Sequence, residues 1–331
     1  MRDGHASHCA HVNLLGGQVH TAVTQHTVWP LAGIRLMQTT HTAHLMSIVR
    51  CNQRPVAALI AVLVLALAGL WPLNTLAHEF WIVPVTAPLA TGNSARFSLM
   101  VGEQFQGDLV GVSRQQTSGL RHFTTSGMRD LRPQLPTTPA ADFAVVLNTP
   151  GTHLIAFESE ANTISLSADS FHAYLHDEGL DFIKTQREAA GKAKQPGRER
   201  YRRYVKTLVS MAEAGGANGE DTTHAKQIGQ RLELLPLNNP LLLAPGDALR
   251  VRVDFEGKPL AGALLKAWHR HSGQTVIVRA TTAADGVATV NLPYAGAWMV
   301  SVVHMVAVKG EKNIDWDSMW GNMSFVVPAR N

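Results

Sequence analysis

His78 has the clearest potential for chemistry because it lies where a secretory signal peptide would be cut. Two arginines precede an apolar run at Val56–Trp71, and the segment Thr75–Ala77 ends it with small residues at its first and third positions. This is the layout of a signal peptide. Cleavage after Ala77 would make His78 the first residue of the mature chain. Its α-amine and imidazole could then chelate copper, nickel, cobalt or zinc.

Counted from Pro55 to Ala77, the stretch barely reaches the length of about 20 residues that spans a bilayer, and Pro72 and Asn74 interrupt its end. We therefore predict a periplasmic protein secreted through a signal peptide at 46–77. The alternative is an N-terminally anchored inner-membrane protein that faces the periplasm, in which the amine of His78 is blocked. Residues 1–45 are interpreted as a disordered tail or a misassigned start, which leaves open whether Met1 or Met46 is the true first residue.

Four other residues are candidates to complete a metal site with His78. His304 lies in an apolar strand pattern, where a histidine is more often a hydrogen-bonded core residue. His172 and His176 are at positions i and i+4 of a predicted helix, where they could clamp a metal or form a solvated polar face. Glu103 could supply an oxygen ligand or simply end a strand. The metal is predicted to be nickel, cobalt or copper.

Composition excludes several other classes of function. The segment 1–77 holds four of the 29 basic and one of the 25 acidic residues, so the mature chain has a net charge of about +1. A near-neutral chain gives no reason to expect a nucleic-acid partner. Both cysteines, Cys9 and Cys51, precede the predicted cut, so the mature chain has no thiolate ligand. No phosphate-binding GxxxxGKS loop or GxSxG nucleophile motif occurs in the sequence.

The elements that would position these residues are mostly short strands. Alternating segments bounded by turn residues fall into two blocks, at 78–168 and 229–331. Asn148–Gly151 is predicted to be a hairpin turn within the first block. The predicted strands are Arg96–Val101, Asp142–Leu147, His153–Glu158, Thr163–Leu166, Leu249–Phe255, Leu260–Trp268, Val276–Ala280, Val287–Leu292, Trp298–Met305 and Asn322–Val327.

Between the two blocks the periodicity changes. Phe171–Arg187 and Arg198–Ala214 are predicted helices, and Gly215–Thr223 a flexible loop. We therefore predict a mainly β fold, with two immunoglobulin-like antiparallel β-sandwich domains at 78–168 and 229–331. A helical connection and flexible loop at 169–228 joins them.

Several segments resemble a known bacterial family. His78–Pro84 (HEFWIVP) is similar to the mature start of periplasmic proteins in domain-of-unknown-function family 4198, often labelled a periplasmic component of cobalt or nickel transport. Further similar segments are Val101–Phe105, Phe171–Asp181, Glu199–Leu208, Gly257–Ala261, Ala284–Gly286, Ala295–Trp298 and Trp316–Phe325. The tract Leu260–Val303 also resembles carboxypeptidase regulatory-like and transthyretin-like sandwiches. The resemblance implies secretion, a sandwich-rich fold and an association with transition metals.

Three functional hypotheses follow. The first is a periplasmic transition-metal-binding protein for metal uptake or delivery, which uses His78 as a chelating ligand and hands its metal to an inner-membrane transporter. It is predicted to have no enzymatic activity and no stable membrane insertion after cleavage. The alternative is an envelope interaction module of two sandwich domains that binds no metal. The third, a copper oxidative enzyme, is less favoured because the sequence identifies neither a second histidine in the site nor a substrate-binding surface.

Overall fold

The computed structural model describes residues 78–85, 94–211 and 221–329. The predicted tail at 1–45 and the predicted signal peptide at 46–77 lie outside these ranges. Within them the chain is mainly β, as predicted. No helix in the described ranges is both long enough and apolar enough to cross a membrane.

The described residues form seventeen strands, two α-helices and three short 3-10 helices. The helices are α1 (Ala168–Asp177) and α2 (Asp181–Ala189), and the 3-10 helices are Arg132–Gln134, Thr223–Ala225 and Pro240–Leu242. The strands are β1 (Glu79–Pro84), β2 (Ser94–Glu103), β3 (Gln106–Val110), β4 (Thr117–Thr124), β5 (Gly127–Asp130), β6 (Phe143–Val146), β7 (Gly151–Ser159), β8 (Asn162–Leu166), β9 (Gly197–Met211), β10 (Leu232–Pro236), β11 (Ala248–Phe255), β12 (Lys258–Pro259), β13 (Leu264–His271), β14 (Gln274–Thr281), β15 (Val287–Asn291), β16 (Gly296–Ala307) and β17 (Trp316–Val327).

These strands form three sheets. The central sheet has the order β14-β13-β16-β17-β9-β7-β4-β5, and β8 also pairs with β9. The N-terminal sheet has the order β1-β2-β3, with β6 beside β2, and the C-terminal sheet has the order β10-β11-β12, with β15 beside β11. All these pairs are antiparallel except β17 with β9, which run parallel.

The two small sheets cover opposite faces of the central sheet. Successive side chains of a strand point to opposite faces. In β7, Leu154 packs in the cluster that contains the C-terminal sheet, and the next residue, Ile155, packs in the cluster that contains the N-terminal sheet. In β9, Leu208 and Val209 divide in the same way. The described chain is therefore layered, with the central sheet in the middle.

The helices cover the rest of the face that carries the N-terminal sheet. Phe171 and Leu175 of α1 pack against Val303 of β16 and against Trp316 and Trp320 of β17. Val302, which precedes Val303 in β16, packs instead toward the C-terminal sheet. The face between α1 and the N-terminal sheet is where a cavity forms.

The predicted helix at Arg198–Ala214 is wrong, because its described part, up to Met211, belongs to the fifteen-residue strand β9, while residues 212–214 lie outside the described ranges. The apolar residues Tyr204 and Leu208 fit a helical spacing, but in the structure they share one strand face with Lys206. The opposite face carries Val205 and Val209. A strand buried on both faces has no alternation of polar and apolar residues, so its pattern is easily mistaken for that of a helix.

The predicted helix at Phe171–Arg187 is present but is divided into α1 and α2. Gly179 separates them with φ +70°, a left-handed conformation that favours glycine, and a side chain there would also meet Leu264. The predicted hairpin at Asn148–Gly151 is not formed as a strand pair. Its flanking strands enter different sheets, since β6 pairs with β2 while β7 pairs with β4 and β9.

The described part of the chain therefore does not form the predicted two sandwich domains joined by a helical connection. The central sheet takes β4, β5 and β7 from the first predicted block and β13, β14, β16 and β17 from the second. Strand β9 pairs with both sets, with β7 on one side and β17 on the other. The predicted domain boundaries stay predictions.

Gly197 offers a test of how α1 packs on the start of β9. A methyl group at this position would overlap the ring of Phe171, which is fully buried. We expect Gly197→Ala to lower the free energy of unfolding by about 1–3 kcal/mol, because the core must shift to accept the added atom. Urea denaturation followed by tryptophan fluorescence measures the change.

Gly119→Ala is the matched control, since a methyl group in β4 would meet only Glu158, at 3.7 Å or more. Its effect should stay within about 0.5 kcal/mol. Equal effects of the two substitutions would contradict the packing described for Gly197.

Candidate functional site

His78 and Glu103 are brought together by the pairing of β1 with β2. In this ladder Glu79 is paired with Gly102. His78, which precedes Glu79, therefore lies beside Glu103, which follows Gly102. The β2–β3 turn fixes the end of β2, because its two central residues, Gln104 and Phe105, both have positive φ, at 53° and 57°. Two successive residues of this kind form a tight hairpin turn.

The imidazole of His78 faces the carboxylate of Glu103. Its Nδ1 atom lies 3.2 Å from Glu103 Oε1, and the two side chains are 35% and 50% exposed. The Nδ1 atom itself is shielded from solvent and makes no hydrogen bond of good geometry with the described residues. A shielded nitrogen without a hydrogen-bond partner, next to a carboxylate oxygen, is a suitable position for a cation.

A cavity of about 250 Å³ lies next to this pair, between β1, β13, β14 and the end of α1. Three of its charged residues are almost fully buried, namely Glu79, Glu178 and Lys266. Lys266 Nζ lies 2.6 Å from Glu178 Oε2 and 3.6 Å from Glu79 Oε1. The lining consists of Glu79, Glu103, Gln104, Tyr174, Asp177, Glu178, Lys266, Trp268, Ile277 and Arg279.

The carboxylates of this cavity are perturbed by burial. Burial raises the pKa of Glu79 to about 7, and the nearby Lys266 only partly offsets the rise. Burial also raises the pKa of Glu178, again against the opposing effect of Lys266. Because desolvation disfavours a charged carboxylate, Glu79 is poised to gain or lose a proton near neutral pH. Such groups are often found at functional sites.

The other predicted metal ligands are placed elsewhere. His304 is paired with Met319, whose side chain packs toward the C-terminal sheet, and its ring lies 4.5 Å from that of Phe255. His78 belongs to the opposite face of the central sheet, so His304 does not join it. Burial lowers the pKa of His304 to about 4, which fits a neutral core histidine.

The helical pair has other contacts. His176 is exposed, and its Nδ1 lies 3.1 Å from Asp181 Oδ1. His172 Nε2 is buried without a hydrogen-bond partner in the described residues. Across residues 78–85, 94–211 and 221–329, no three histidine, cysteine, aspartate or glutamate side chains are arranged to hold a metal ion. Of the predicted ligands, the described structure joins only His78 and Glu103.

Sequence analysis missed the three buried charges of the cavity. Lys266 is the one that carries a signal, because it interrupts the apolar strand that runs from Leu264 to Trp268. A lysine is almost never fully buried without a partner. The partners Glu79 and Glu178 could not be found in the same way, since they are far apart in the sequence and each looks like the end of an element.

Three basic residues of β9 form ion pairs with acidic side chains. Arg198 binds Asp315 in a two-pronged contact, with distances of 2.8 and 2.9 Å, and Arg200 binds Asp317 at 2.7 Å. Further along the strand, Lys206 is buried and donates to Glu233 at 2.7 Å. These pairs give Arg198, Arg200 and Lys206 structural partners.

Comparison with known proteins identifies the family. A family model described as a domain of unknown function, DUF4198, matches residues 75–306. The chain belongs to this family. The DUF4198 match includes His78, Glu103 and every residue that lines the cavity. Curated proteins give no significant match.

Three solved structures are distantly similar to this DUF4198 chain. A tetra-tandem repeat from the extending region of a large adhesion protein is 10% identical, with a TM-score of 0.19, and the alignment covers 75% of this chain and 49% of that one. The dimeric latent PorU of Porphyromonas gingivalis is 10% identical, with a TM-score of 0.17, and the alignment covers 78% of this chain and 21% of that one. Three N-terminal domains of the bacteriophage RB49 outer capsid protein Hoc are 7% identical, with a TM-score of 0.17, and the alignment covers 76% of this chain and 71% of that one.

A second polar cluster of this DUF4198 chain is a pair of buried histidines in the central sheet. His122 Nε2 lies 2.8 Å from His153 Nδ1, and His153 Nε2 lies 2.8 Å from the carbonyl oxygen of Thr149. Because a carbonyl only accepts, His153 Nε2 donates to Thr149, and in a neutral His153 ring Nδ1 accepts from His122 Nε2. Burial lowers the pKa of His122 to about 4 and also lowers that of His153.

This pair predicts loss of stability in acid. The unfolded chain binds a proton at each histidine near pH 6.5, whereas the folded chain resists protonation of His122 down to about pH 4. The unfolded state therefore binds more protons within this window, and the free energy of unfolding should fall as the pH falls from 6.5 to about 4. His122→Gln keeps a donor for His153 without a titrating group, so it should reduce this slope. Chemical denaturation at several pH values measures it.

His304 should maintain part of the slope in this variant, because its pKa is also lowered. Gln186→Asn is the control, since Gln186 is an exposed residue of α2 and neither side chain titrates. An unchanged slope in His122→Gln would contradict the neutral buried pair.

Proposed function

We propose that this protein is a periplasmic binding protein for nickel, cobalt or copper that takes part in metal uptake or delivery. In this proposal the signal peptide is removed after Ala77, and the mature chain begins with His78. The α-amine and Nδ1 of His78 and the carboxylate of Glu103 then provide three ligands. An inner-membrane metal transporter is the proposed recipient.

The observation that carries the proposal is the position of His78 Nδ1, shielded and 3.2 Å from Glu103 Oε1. Nitrogen and oxygen ligands bind a transition metal at about 2.0–2.2 Å. Two such ligands at a right angle around one ion lie about 3 Å apart. The two side chains therefore have a separation that fits a shared metal without a large rearrangement.

The chemistry of the ligands favours a transition metal over calcium or magnesium. Calcium and magnesium prefer sites made of oxygen atoms, whereas amine and imidazole nitrogens suit nickel, cobalt, copper or zinc. Both nitrogens must be deprotonated to bind, so acid would release the metal. Chelation by one residue needs the free amine, which ties the proposed activity to export and cleavage.

The first test is the mass and N-terminal sequence of the exported protein, followed by metal titration. A chain that begins at His78 should bind nickel or copper, as measured by calorimetry. The same chain with one alanine before His78 should bind at least about 100-fold more weakly, because losing a direct ligand costs more than the tenfold to 100-fold typical of an outer-shell change.

The extended chain is a close control because it retains every side chain. Equal affinity of the two forms would contradict the chelate and favour an envelope interaction module that needs no metal. A mass that includes residues before His78 would contradict the proposed cleavage.

The second test removes the carboxylate ligand. Glu103→Gln should weaken metal binding by about tenfold or more, because a neutral amide is a poorer ligand than a carboxylate. Glu188→Gln is the control, since Glu188 is an exposed residue of α2. Equal metal affinity in Glu103→Gln and in the unaltered chain would exclude Glu103 as a ligand.

A further inference from the structure

The cavity beside β1 contains charged groups that folding alone does not require. Glu79, Glu178 and Lys266 are 6%, 7% and 3% exposed. Burial of a charged group is costly unless good partners satisfy it, and apolar residues of similar volume often stabilise a fold at least as well. These three groups also line an open cavity of about 250 Å³ instead of packing against one another on all sides.

The negative charges of the cavity are incompletely paired. Lys266 Nζ makes its close contact, at 2.6 Å, with Glu178, while its distance to Glu79 is 3.6 Å. One lysine thus serves two buried carboxylates, and Glu79 has the weaker contact. A cationic group in the cavity would provide Glu79 with a full countercharge.

The opposite charge is available at the outer part of the cavity. Arg279 is exposed and makes no ion pair or side-chain hydrogen bond with the described residues, although its charge is close enough to lower the pKa of Glu178. Trp268 and Ile277 provide an apolar wall in the lining of the cavity. The ammonium of Lys266 lies 5.0 Å from the centre of the Trp268 ring, so this wall already accepts a cation at its face.

We propose that this cavity binds a small zwitterion of the amino-acid class, with its ammonium group at Glu79 and its carboxylate at Arg279. The apolar part of the ligand would contact Trp268 and Ile277. The cavity is smaller than the 300–1,000 Å³ typical for drug-sized ligands, which fits a molecule of this size.

An organic cation suits the cavity better than a second metal ion. The carboxylates that line it do not form a metal-binding group in the described structure, and Lys266 lies between two of them. The proposal does not depend on the chelate at His78, since neither Glu79 nor Arg279 needs a free N-terminal amine. Glu103 borders both places, so it is left unchanged in the test.

The test is calorimetric titration of the metal-free mature protein with each of the proteinogenic L-amino acids. At least one should bind with a dissociation constant of about 1 mM or lower. Its N-acetyl derivative, which lacks the cation, and its amide, which lacks the carboxylate, should each bind at least about tenfold more weakly. Absence of binding by every amino acid at millimolar concentration would overturn the proposal.

Two substitutions locate the site. Glu79→Gln and Arg279→Gln should each weaken binding by about tenfold or more, while Arg250→Gln, an exposed arginine of the C-terminal sheet, should not. Thermal denaturation shows whether Glu79→Gln remains folded, and the exposed Arg279 gives a variant whose folding is not at risk. Binding that persists unchanged in Arg279→Gln, or that falls equally in Arg250→Gln, would overturn the proposal.

Discussion

The pairing of β9 with both β7 and β17 is the interaction on which the rest of the described fold depends. Over residues 204–207, β9 has a neighbour on each side, antiparallel β7 on one and parallel β17 on the other. Its side chains enter two different cores, with Leu208 facing the C-terminal sheet and Val209 facing the N-terminal sheet. Because a parallel pair cannot be joined by a tight turn, a long connection must return the chain to β17. The C-terminal sheet and the hairpin β13–β14 lie within that connection.

The same arrangement positions the candidate sites. Strand β1 is held against β17 by hydrogen bonds from Asn322 to the Phe80 carbonyl and from Ser324 to the Ile82 carbonyl, the second at 2.7 Å. The polar residues of β17 thus fix β1 across the layers. With β1 in place, His78 meets Glu103, and Glu79 enters the cavity that Lys266 borders from β13. Residues from both ends of the chain are needed to form this region.

The sequence predicts the local structure better than the way its parts are joined. Arg96–Val101 and Leu249–Phe255 are both strands. The second alternates clearly because Leu249, Val251 and Val253 are buried while the arginines between them are more exposed. β9 could not be recognised in this way, since its residues 204–209 are buried on both faces and include the polar Lys206. Turn residues at Asn148–Gly151 were identified correctly as an end of two strands. However, a turn does not determine whether the chain returns to the same sheet or crosses to another.

In the candidate site too, the sequence predicts individual residues better than the contacts between them. His78 could be found because chain position and residue type carry the signal together. The link between His78 and Glu103 depends on the register of β1 with β2, which no local pattern specifies. His304 has the ligand type, but the face to which it points depends on which sheet covers β16 on each side. Residue type thus predicts what a side chain can do, while the layering determines which side chains can act together.

Two buried lysines show how a structural charge differs from one at a candidate site. Lys206 is buried against Glu233, and that carboxylate also accepts hydrogen bonds from the backbone of Ile228 at 2.7 Å and Gly229 at 3.0 Å. The pair is therefore satisfied within the fold. Lys266 is buried to a similar degree, but its second carboxylate, Glu79, is held only at 3.6 Å and borders open space. A buried charge whose partners are all satisfied within the fold stabilises a connection between strands. A buried charge with an incompletely paired carboxylate beside it leaves a position for a ligand.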